Sequence, residues 1–537
     1  MRAPSRTLPT PELLVAGPFV GMRDAPEPPT AAPELALLAQ NLCRPPGPQG
    51  RGLFSRPGFT PMGAQLGSGG ARTTQAILTW TDVNGVRITT AIVGGKLYTY
   101  NWNTDAWAES VTAANLTSAS ITLSSTAKVA LVPFADGLVV SDGINTPFWW
   151  DGTTGAGGLV KLTNAPVFYG PPTVYNSRLV GIKLAAGIRM TLVWSEPGAP
   201  NTGYEAGSYQ NAWDNPGGYS DPLVAVVGTN EAIYVFRERI ALAITGAVTS
   251  DWQTAGTRAN LSEDVGSLSP WGVYAVSQGV IAVDADAQPW LYRYGTPEPL
   301  PLWTNCRETI RGTPRASLTA VEITQDDATE SILIGYPEVG QTQISQVLCF
   351  AQDDLAFVGV WSWGQAVDRM GMVVDGRGVA RWAHGGPSDG RLYAHGDLEE
   401  GPWTDALAAG DRYIEHALIS GTLGYDLDRE LILDQLEAAI TGTGVSSVAV
   451  SYETPRGSSV PMTVAVNAGA SGLTWDVDDW DEATWAQTTR DQRIRVGLRG
   501  RGRWVRATIR HSADDEPFGV TVLRVRAHAA QGNPGAP

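Results

Sequence analysis

The sequence predicts an all-β protein: an extended, proline-rich N-terminal arm over residues 1–60, a β-propeller over 61–402, and a β-sandwich-like domain over 403–537. Three observations lead there. Gly and Pro, 61 and 36 of 537 residues, make up about 18% of the chain against a usual level of about 12%, which favours many turns over long helices. From about Gln75 to Gly396, short β-rich runs closed by turn signals succeed one another, with no convincing long amphipathic helix among them. After Pro402 the runs lengthen and tight turns thin out.

The arm comes first. Between Pro4 and Pro48 there are eleven prolines; each fixes φ and removes a backbone donor, so the stretch is expected to run extended, with one short helix over 34–42 (ELALLAQNL). Such arms lie on a neighbour or on their own domain. The central region opens with AILTWTD, an Asn84–Gly85 turn, VRITTAIVGG and KLYTYNW, a strong local hairpin signal. GVYAVSQGVIAVDADAQPWLYRYG reads as three strands with turns at 277–279 and 284–288. LVAVVGTNEAIYVFRERIALAITG reads the same way, with its turn at 228–231. Units of three or four strands recurring every ~40–50 residues cannot bury their faces alone and stack radially, which over roughly 320 residues predicts six or seven propeller blades. No fixed blade motif recurs, so a set of β-sandwiches is the alternative.

In the last region SSVAVSYET and MTVAVNAG alternate as strands with one wet face do, hence the sandwich-like domain. RELILDQLEAAI (429–440) matches a 3.6-residue period nearly as well as a strand, and periodicity alone leaves that choice open.

Charge narrows the function classes. With 38 Lys+Arg against 54 Asp+Glu the net charge is −16, which disfavours a DNA-coating protein but not a conduit, since counterion release makes DNA adhere to basic walls. Cys43, Cys306 and Cys349 are far apart, without CxxC spacing, and read as buried free thiols. No apolar run approaches ~18 residues, and the opening MRAPSRTLPTPELLVAGPF holds Pro and Glu where a signal peptide needs an apolar core. The chain is expected to be cytosolic when made.

Chemistry-bearing motifs are few. No G-x-x-x-x-G-K-[ST], G-x-S-x-G or H-E-x-x-H occurs, and Gly94-Gly95-Lys96 falls inside a hairpin. Of the five histidines only His384 and His395 lie close, with no third metal ligand at hand. The run WDVDDWDEATW places Asp476, Asp478 and Asp479 among tryptophans but lacks the Gly of a calcium loop, so it reads as an exposed, aromatic-braced loop. Asp284 and Asp286 occupy a turn, where Asp favours the backbone geometry, and are expected to face solvent or a lumen. No catalytic residue, metal or cofactor is predicted. The most biased run, 490–510, carries eight arginines against Asp491 alone. In extended chain Arg493 and Arg495 share one face, as do Arg499, Arg501 and Arg503, a basic stripe suited to an acidic neighbour, to solvent or to nucleic acid. With the rest of the chain at roughly −23, an acidic protein surface is the favoured partner.

Several segments resemble a known family. PFVGMRDAPEPP, then LALLAQNLCRPPGPQGRGLFSRPGF, resembles the arm of the β-propeller tail nozzle (tail hub) proteins of short-tailed bacteriophages, where an Asn in a short helix precedes an Arg-Pro-Gly entering the first blade. Asn41 and Arg56-Pro57-Gly58 take those places. TAVEITQDDATESILIGYPEVGQTQISQVLCFAQDDLAFVGVWSWG is similar to a blade whose closing strand ends in Trp (Trp361, Trp363), and GRGRWVRATIRHSADDEPFGVTVLRVRA to the closing sandwich strands. The resemblance implies a non-enzymatic structural virion protein, assembled in the host cytoplasm as a hexameric ring. Its implied partners are the portal or adaptor protein, tail fibres or spikes and, transiently, the genomic DNA it retains and then conducts, without stable membrane insertion. Arg56 and the basic stripe are then interface candidates. A receptor- or glycan-binding virion protein is the second reading, to be judged by whether Trp149, Trp150, Trp361 and Trp363 are buried. A propeller glycoside hydrolase is the third, and needs two carboxylates roughly 5–9.5 Å apart in one pocket.

Overall fold

The computed structural model describes residues 12–16, 21–22, 35–36, 38–44, 53–67, 72–204, 211–249, 252–296, 298–396, 404–407, 410–414, 416–420, 423, 431–441, 447–465, 492–511 and 519–529. They are nearly all β, and the chain forms two compact units: residues 60–348 with 363–395, and residues 1–59 with 349–362 and 396–537. No helix among the described residues is long and apolar enough to cross a membrane.

The first unit is a succession of antiparallel sheets, each a meander built by tight turns. The first contains Thr74–Thr81, Arg87–Val93, Lys96–Asn101 and Ala106–Val111. The Asn84–Gly85 signal is the turn joining its first two strands: Gly85 takes φ +77°, and the Asp82 carboxylate accepts hydrogen bonds from the amides of Asn84 and Val86 at 2.9 and 2.8 Å. The next four sheets begin with Ala130–Phe134, Phe168–Tyr175, Leu223–Gly228 and Val273–Val276; the sixth begins with Glu322–Asp326 and the seventh with Arg369–Val374. Each of these seven first strands contacts the first strand of the next sheet, and the seventh returns to the first, Met372 pairing in parallel with Leu78. The cycle is therefore closed. Residues just after 59 join the last sheet, Met62 and Leu66 donating their amides to the carbonyls of Leu392 and Gly390 at 2.7 and 2.8 Å.

Apolar side chains fill the spaces between successive sheets. Trp194 of the third sheet and Val235 of the fourth share a cluster with Trp252, while Val373 of the seventh meets Ile77 and Ala91 of the first. Trp194 and Trp252 stack edge to face with ring centroids 5.2 Å apart. Since a buried Trp removes about 150–250 Å² from water, such contacts weld neighbouring sheets that could not be stable alone. A buried charge cluster adds a second tie. Glu322 Oε1 lies 2.6 Å from Arg369 Nη1 and 2.5 Å from Lys128 Nζ, and its other oxygen accepts the Met370 amide at 2.9 Å. Burial alone would raise the Glu322 pKa, but Arg369 and Lys128 outweigh it and hold the carboxyl below its ordinary value.

Among the described residues, the second unit is built mainly on two larger sheets, besides small ladders such as Gly21–Met22 with Leu35–Ala36. One runs, in spatial order, Gln492–Gly502, Leu431–Thr441, Gly519–Ala529, Leu53–Ser55 and Leu42–Cys43, with Glu12–Ala16 also paired to Gly519–Ala529. The other includes Leu38–Gln40, His416–Ile419, Arg506–His511 and Ser447–Thr454. The two meet where the Tyr452 hydroxyl donates to the Arg499 carbonyl at 2.6 Å and its ring covers Gly500.

Two local readings of the sequence are settled here. The helix expected over 34–42 is not formed; Leu35–Ala36, Leu38–Gln40 and Leu42–Cys43 are strands. Ladder hydrogen bonding overrides local helix propensity, because Leu38, Ala39 and Gln40 pair antiparallel with Ile419, Leu418 and Ala417, and Gln40 pairs in parallel with Val360. The ambiguous 429–440 segment forms strand Leu431–Thr441, with a bulge between Leu433 and Gln435 on both of its partners. Leu431 and Leu433 point inward before the bulge and Leu436, Ala438 and Ile440 after it. This 2-3-2-2 spacing imitates a helical period.

Candidate interface: an arm clasp and an arginine-rich sheet face

Within the second unit, the arm is locked by a buried polar knot. Asn41 takes φ +55° between two short strands, a left-handed conformation that Asn tolerates better than most residues. Its amide donates to the Val360 carbonyl at 2.8 Å, and its Oδ1 accepts from the Ser362 amide at 2.8 Å and from Arg56 Nε at 3.1 Å. Arg56 has no exposed surface. Its two Nη atoms meet the two Asp405 oxygens at 2.8 and 2.5 Å, and Nη1 also donates to the Pro57 carbonyl at 3.0 Å. This two-pronged pairing is the geometry that makes arginine tolerable in a desolvated place. Trp361, fully buried beside it, donates its indole N–H to the Leu42 carbonyl at 2.8 Å.

Arg56 was expected as a residue presented to a neighbour, and that expectation is corrected: its guanidinium is enclosed by its own chain. Asn41 and the Arg-Pro-Gly signal do meet, but in extended chain rather than at a helix. Asp405 was missed because it lies 349 residues along the chain in a segment, TDAL, with no distinguishing pattern. His416, also missed, is buried near the clasp and stacks on His511 with centroids 6.3 Å apart. Burial, then the nearby Arg56 charge, then His511, hold the His416 pKa well below its ordinary value.

The basic stripe lies on strand Gln492–Gly502. Ile494, Val496 and Leu498 are buried while Arg495, Arg499 and Arg501 are exposed. Arg503, just past the strand, is also exposed. Arg493 pairs through its backbone with Ala439, and its side chain lies outside the described atoms. What the sequence did not reveal is that Gly519–Ala529 extends the same wet face. Register places Glu437 between Arg495 and Arg524, Gln435 between Gly497 and Arg526, and Ile432 between Arg501 and His528. Glu437 accepts from Arg495 Nε and Arg524 Nη1, both at 3.1 Å. Arg499 and Arg501 border an open depression of about 570 Å³ whose other walls include Arg456 and the aliphatic Ile432, Leu433 and Leu498.

Asp284 and Asp286 separate in role. Asp286 is exposed, but Asp284 is buried, contrary to expectation: its Oδ1 accepts from the amides of Asp286 and Gln288, both at 2.8 Å, and its Oδ2 from the Trp290 indole at 2.8 Å. Burial raises its pKa against those hydrogen bonds. The carboxylate builds its own turn. Asp476, Asp478 and Asp479 lie outside the described residues. Trp150 and Trp361 are fully buried, and Trp149 is half-buried with its N–H on the Phe134 carbonyl at 3.0 Å; the Trp363 side chain lies outside the described atoms. His384 and His395 are buried, their ring centroids 5.0 and 5.2 Å from that of Trp382, and His395 Nδ1 lies 3.0 Å from Asp326 Oδ2. Cys43, Cys306 and Cys349 are buried and form no disulfide.

No family model matches the sequence, and no curated protein matches it. Among solved structures it is similar to PorZ, a surface component of the type-IX secretion system of Porphyromonas gingivalis, at 13% identity over 71% of this chain and 44% of that one, with TM-score 0.37. It is also similar to the extracellular domain of the putative hybrid two component system BT4673 of B. thetaiotaomicron, at 10% identity over 68% and 45% with TM-score 0.38. A third is BBS1N, solved in complex with ARL6DN, at 10% identity over 65% and 98% with TM-score 0.40. The chain spans less than half the length of the first two, and likenesses this distant carry no argument about function.

Proposed function

We propose that this chain is a non-enzymatic structural virion protein, the tail nozzle of a short-tailed bacteriophage. In this reading its subunits form a ring, a hexamer, beneath the portal and adaptor, retain packaged DNA and conduct it during ejection. The observation that carries the reading is the clasp. Asn41 and Arg56-Pro57-Gly58, the short signals on which the family resemblance rests, converge on one buried hydrogen-bonded knot that fixes the arm.

The seven sheets in cyclic contact fit a seven-bladed β-propeller, closed by the chain around residues 60–66 running beside the last sheet. A block of that kind is stiff, as a ring subunit bearing internal pressure has to be. The net charge of −16 suits a wall that DNA passes without adhering. The glycan-binding reading loses support because Trp150 and Trp361 are inside and cannot stack on a sugar. The hydrolase reading gains none from the 284–286 turn, where one of the two carboxylates is engaged by its own backbone.

The test is electron cryomicroscopy of tail-less virions incubated with the purified chain. Six-fold density beneath the portal is the expected result. A chain that fails to join the particle and instead binds a glycan array overturns the reading.

A further inference from the structure

We propose that the arginine face formed by Leu431–Thr441, Gln492–Gly502 and Gly519–Ala529 is a subunit contact, and that its occupant is the acidic first-turn face of the seven-sheet unit in a second copy of this chain. The inference rests on the propeller and ring reading above and adds which surfaces meet.

The face is overcharged as it stands. Arg495, Arg499, Arg501, Arg524 and Arg526 share it with two acids, Glu437 and the exposed Asp434 at the bulge. Glu437 is already held by Arg495 and Arg524. Arg499, Arg501 and Arg526 have no carboxylate partner among the described residues. With strands about 4.8 Å apart and same-face residues about 6.8 Å apart along a strand, like charges at this density repel, so an anionic cover lowers their energy. Protection of an exposed sheet edge explains part of the pattern, since Gln492–Gly502 is at the end of its sheet. It does not explain Arg524 and Arg526, which lie on an interior strand. The depression bordered by Arg456, Arg499 and Arg501, with aliphatic walls, suits a carboxylate on a short apolar stem.

The complementary surface lies on the other unit. In a propeller the first strands run parallel around the axis, as the Leu78–Met372 pair does, so the turns that follow them share one face. Those turns carry Asp82, Asp136, Glu231, Asp327, Glu330 and Asp375 against Arg377 alone. Asp82 and Asp375 accept hydrogen bonds from the amides of their own turns, while Asp136, Glu231, Asp327 and Glu330 are exposed. Two different surfaces in contact give a head-to-tail interface, the kind that closes rings. A nucleic acid is the poorer occupant: Glu437 sits in the middle of the face, and the three strands that form it contain no Phe, Tyr or Trp to stack a base.

Light scattering of the full chain across protein and salt concentration tests this, using Arg499→Glu/Arg501→Glu, Asp136→Lys/Glu231→Lys, and all four substitutions in one chain. The wild type is expected to associate less as salt rises. Each double variant is expected to associate about 10–100-fold more weakly, and the fourfold variant to recover, because its charges are swapped rather than lost. All the positions are exposed, so circular dichroism and melting midpoints matching the wild type certify folding. A monomeric wild type, double variants that associate normally, or a folded fourfold variant that does not recover each overturns the proposal. So does a salt-dependent shift of duplex DNA by the wild type that Arg499→Glu/Arg501→Glu abolishes. The two readings fail separately. A charge-dependent ring that does not join the portal sinks the nozzle alone, and a chain that joins the portal regardless of charge reversal sinks this contact alone.

Discussion

Arg56 and Arg499 stand in short motifs of similar appearance, Arg-Pro-Gly and Arg-Gly-Arg-Gly, yet the fold gives them opposite circumstances. Arg56 is sealed from solvent with Asn41 and both oxygens of Asp405 around it; Arg499 stands on an open sheet face beside other arginines. The difference shows that an arginine's role is set by what the chain brings to it from far away. At position 56 the carboxylate comes from within the chain, and the charge becomes part of the core. At position 499 none comes among the described residues, and the charge is left for something outside.

Removing Arg56 should break this contrast most visibly. Arg56→Ala leaves Asp405 buried without its cation, which costs about 3–5 kcal/mol. The unit holding the arm is expected to lose its urea transition or shift it by that amount, while the seven-sheet unit keeps its own. Replacing both partners, Arg56→Met with Asp405→Leu, should recover most of the loss, because the penalty arises from the orphaned charge more than from the missing bond. A single variant that melts like the wild type would show that the knot is dispensable.

How much of this was legible beforehand follows from the range of the interactions. The all-β class and the hairpins at 84–85, 228–231, 277–279 and 284–288 were readable, since a turn is decided by its own few residues. The 34–42 segment was misread because its partners, Ile419 to Ala417 and Val360, are hundreds of residues away and outweigh its helix-forming composition. The bulge after Leu433 hid a strand for a different reason: one extra residue changes the inward phase, and a two-residue repeat then looks helical. The arginine run was visible as a local excess. Its extension by Arg524 and Arg526 was not, because register between distant strands is not written in either of them.

His416 gives the clasp a pH dependence. Its pKa in the folded protein lies well below the ordinary 6.5, first through burial and then through Arg56. Below pH 6.5 the unfolded chain therefore takes up a proton that the folded one refuses, and stability falls as pH falls, by up to about 1.4 kcal/mol per pH unit. Between pH 6.5 and 5 the expected loss is about 2 kcal/mol, confined to the arm-bearing unit. Urea midpoints for the wild type and His416→Asn over this range check it: the variant's pH slope should be shallower, and equal slopes would remove His416 from the account.

Asp368, in the seven-sheet unit, is a carboxylate that received no such guanidinium clasp. Burial raises its pKa to about 6, against the amides of Ser388 and Thr74 that hydrogen-bond to it at 2.7 and 3.3 Å, with Asp389 and Glu322 adding repulsion. The folded state keeps its proton longer than the unfolded one. Stability is therefore lost as pH rises from about 4 to about 6, and the cost persists above that. Asp368→Asn retains an acceptor for both amides without the charge. It should stabilise this unit by about 1 kcal/mol at pH 7, after allowance for solvent screening, and by progressively less toward pH 4. Thermal unfolding at the two pH values measures it, and a gain that does not depend on pH would point to packing instead.

The smallest expected effect is the most informative about the arginine face. In the isolated monomer, Arg499→Ala should change stability by less than about 0.5 kcal/mol, since an exposed side chain with no ion-pair partner among the described residues contributes little to the fold. The expected sign is a slight gain, because removing one guanidinium relieves repulsion from Arg501 and Arg526, and the gain should shrink as salt screens that repulsion. Arg495→Ala on the same strand should behave differently: it takes a partner from the 9% exposed Glu437, and so should cost more than Arg499→Ala. Urea midpoints of the two variants at low and high salt decide the matter. If Arg499→Ala costs as much as Arg495→Ala, then Arg499 supports its own fold and the contrast with Arg56 weakens. If it costs nothing in the monomer and yet lowers association, the charge belongs to the interface.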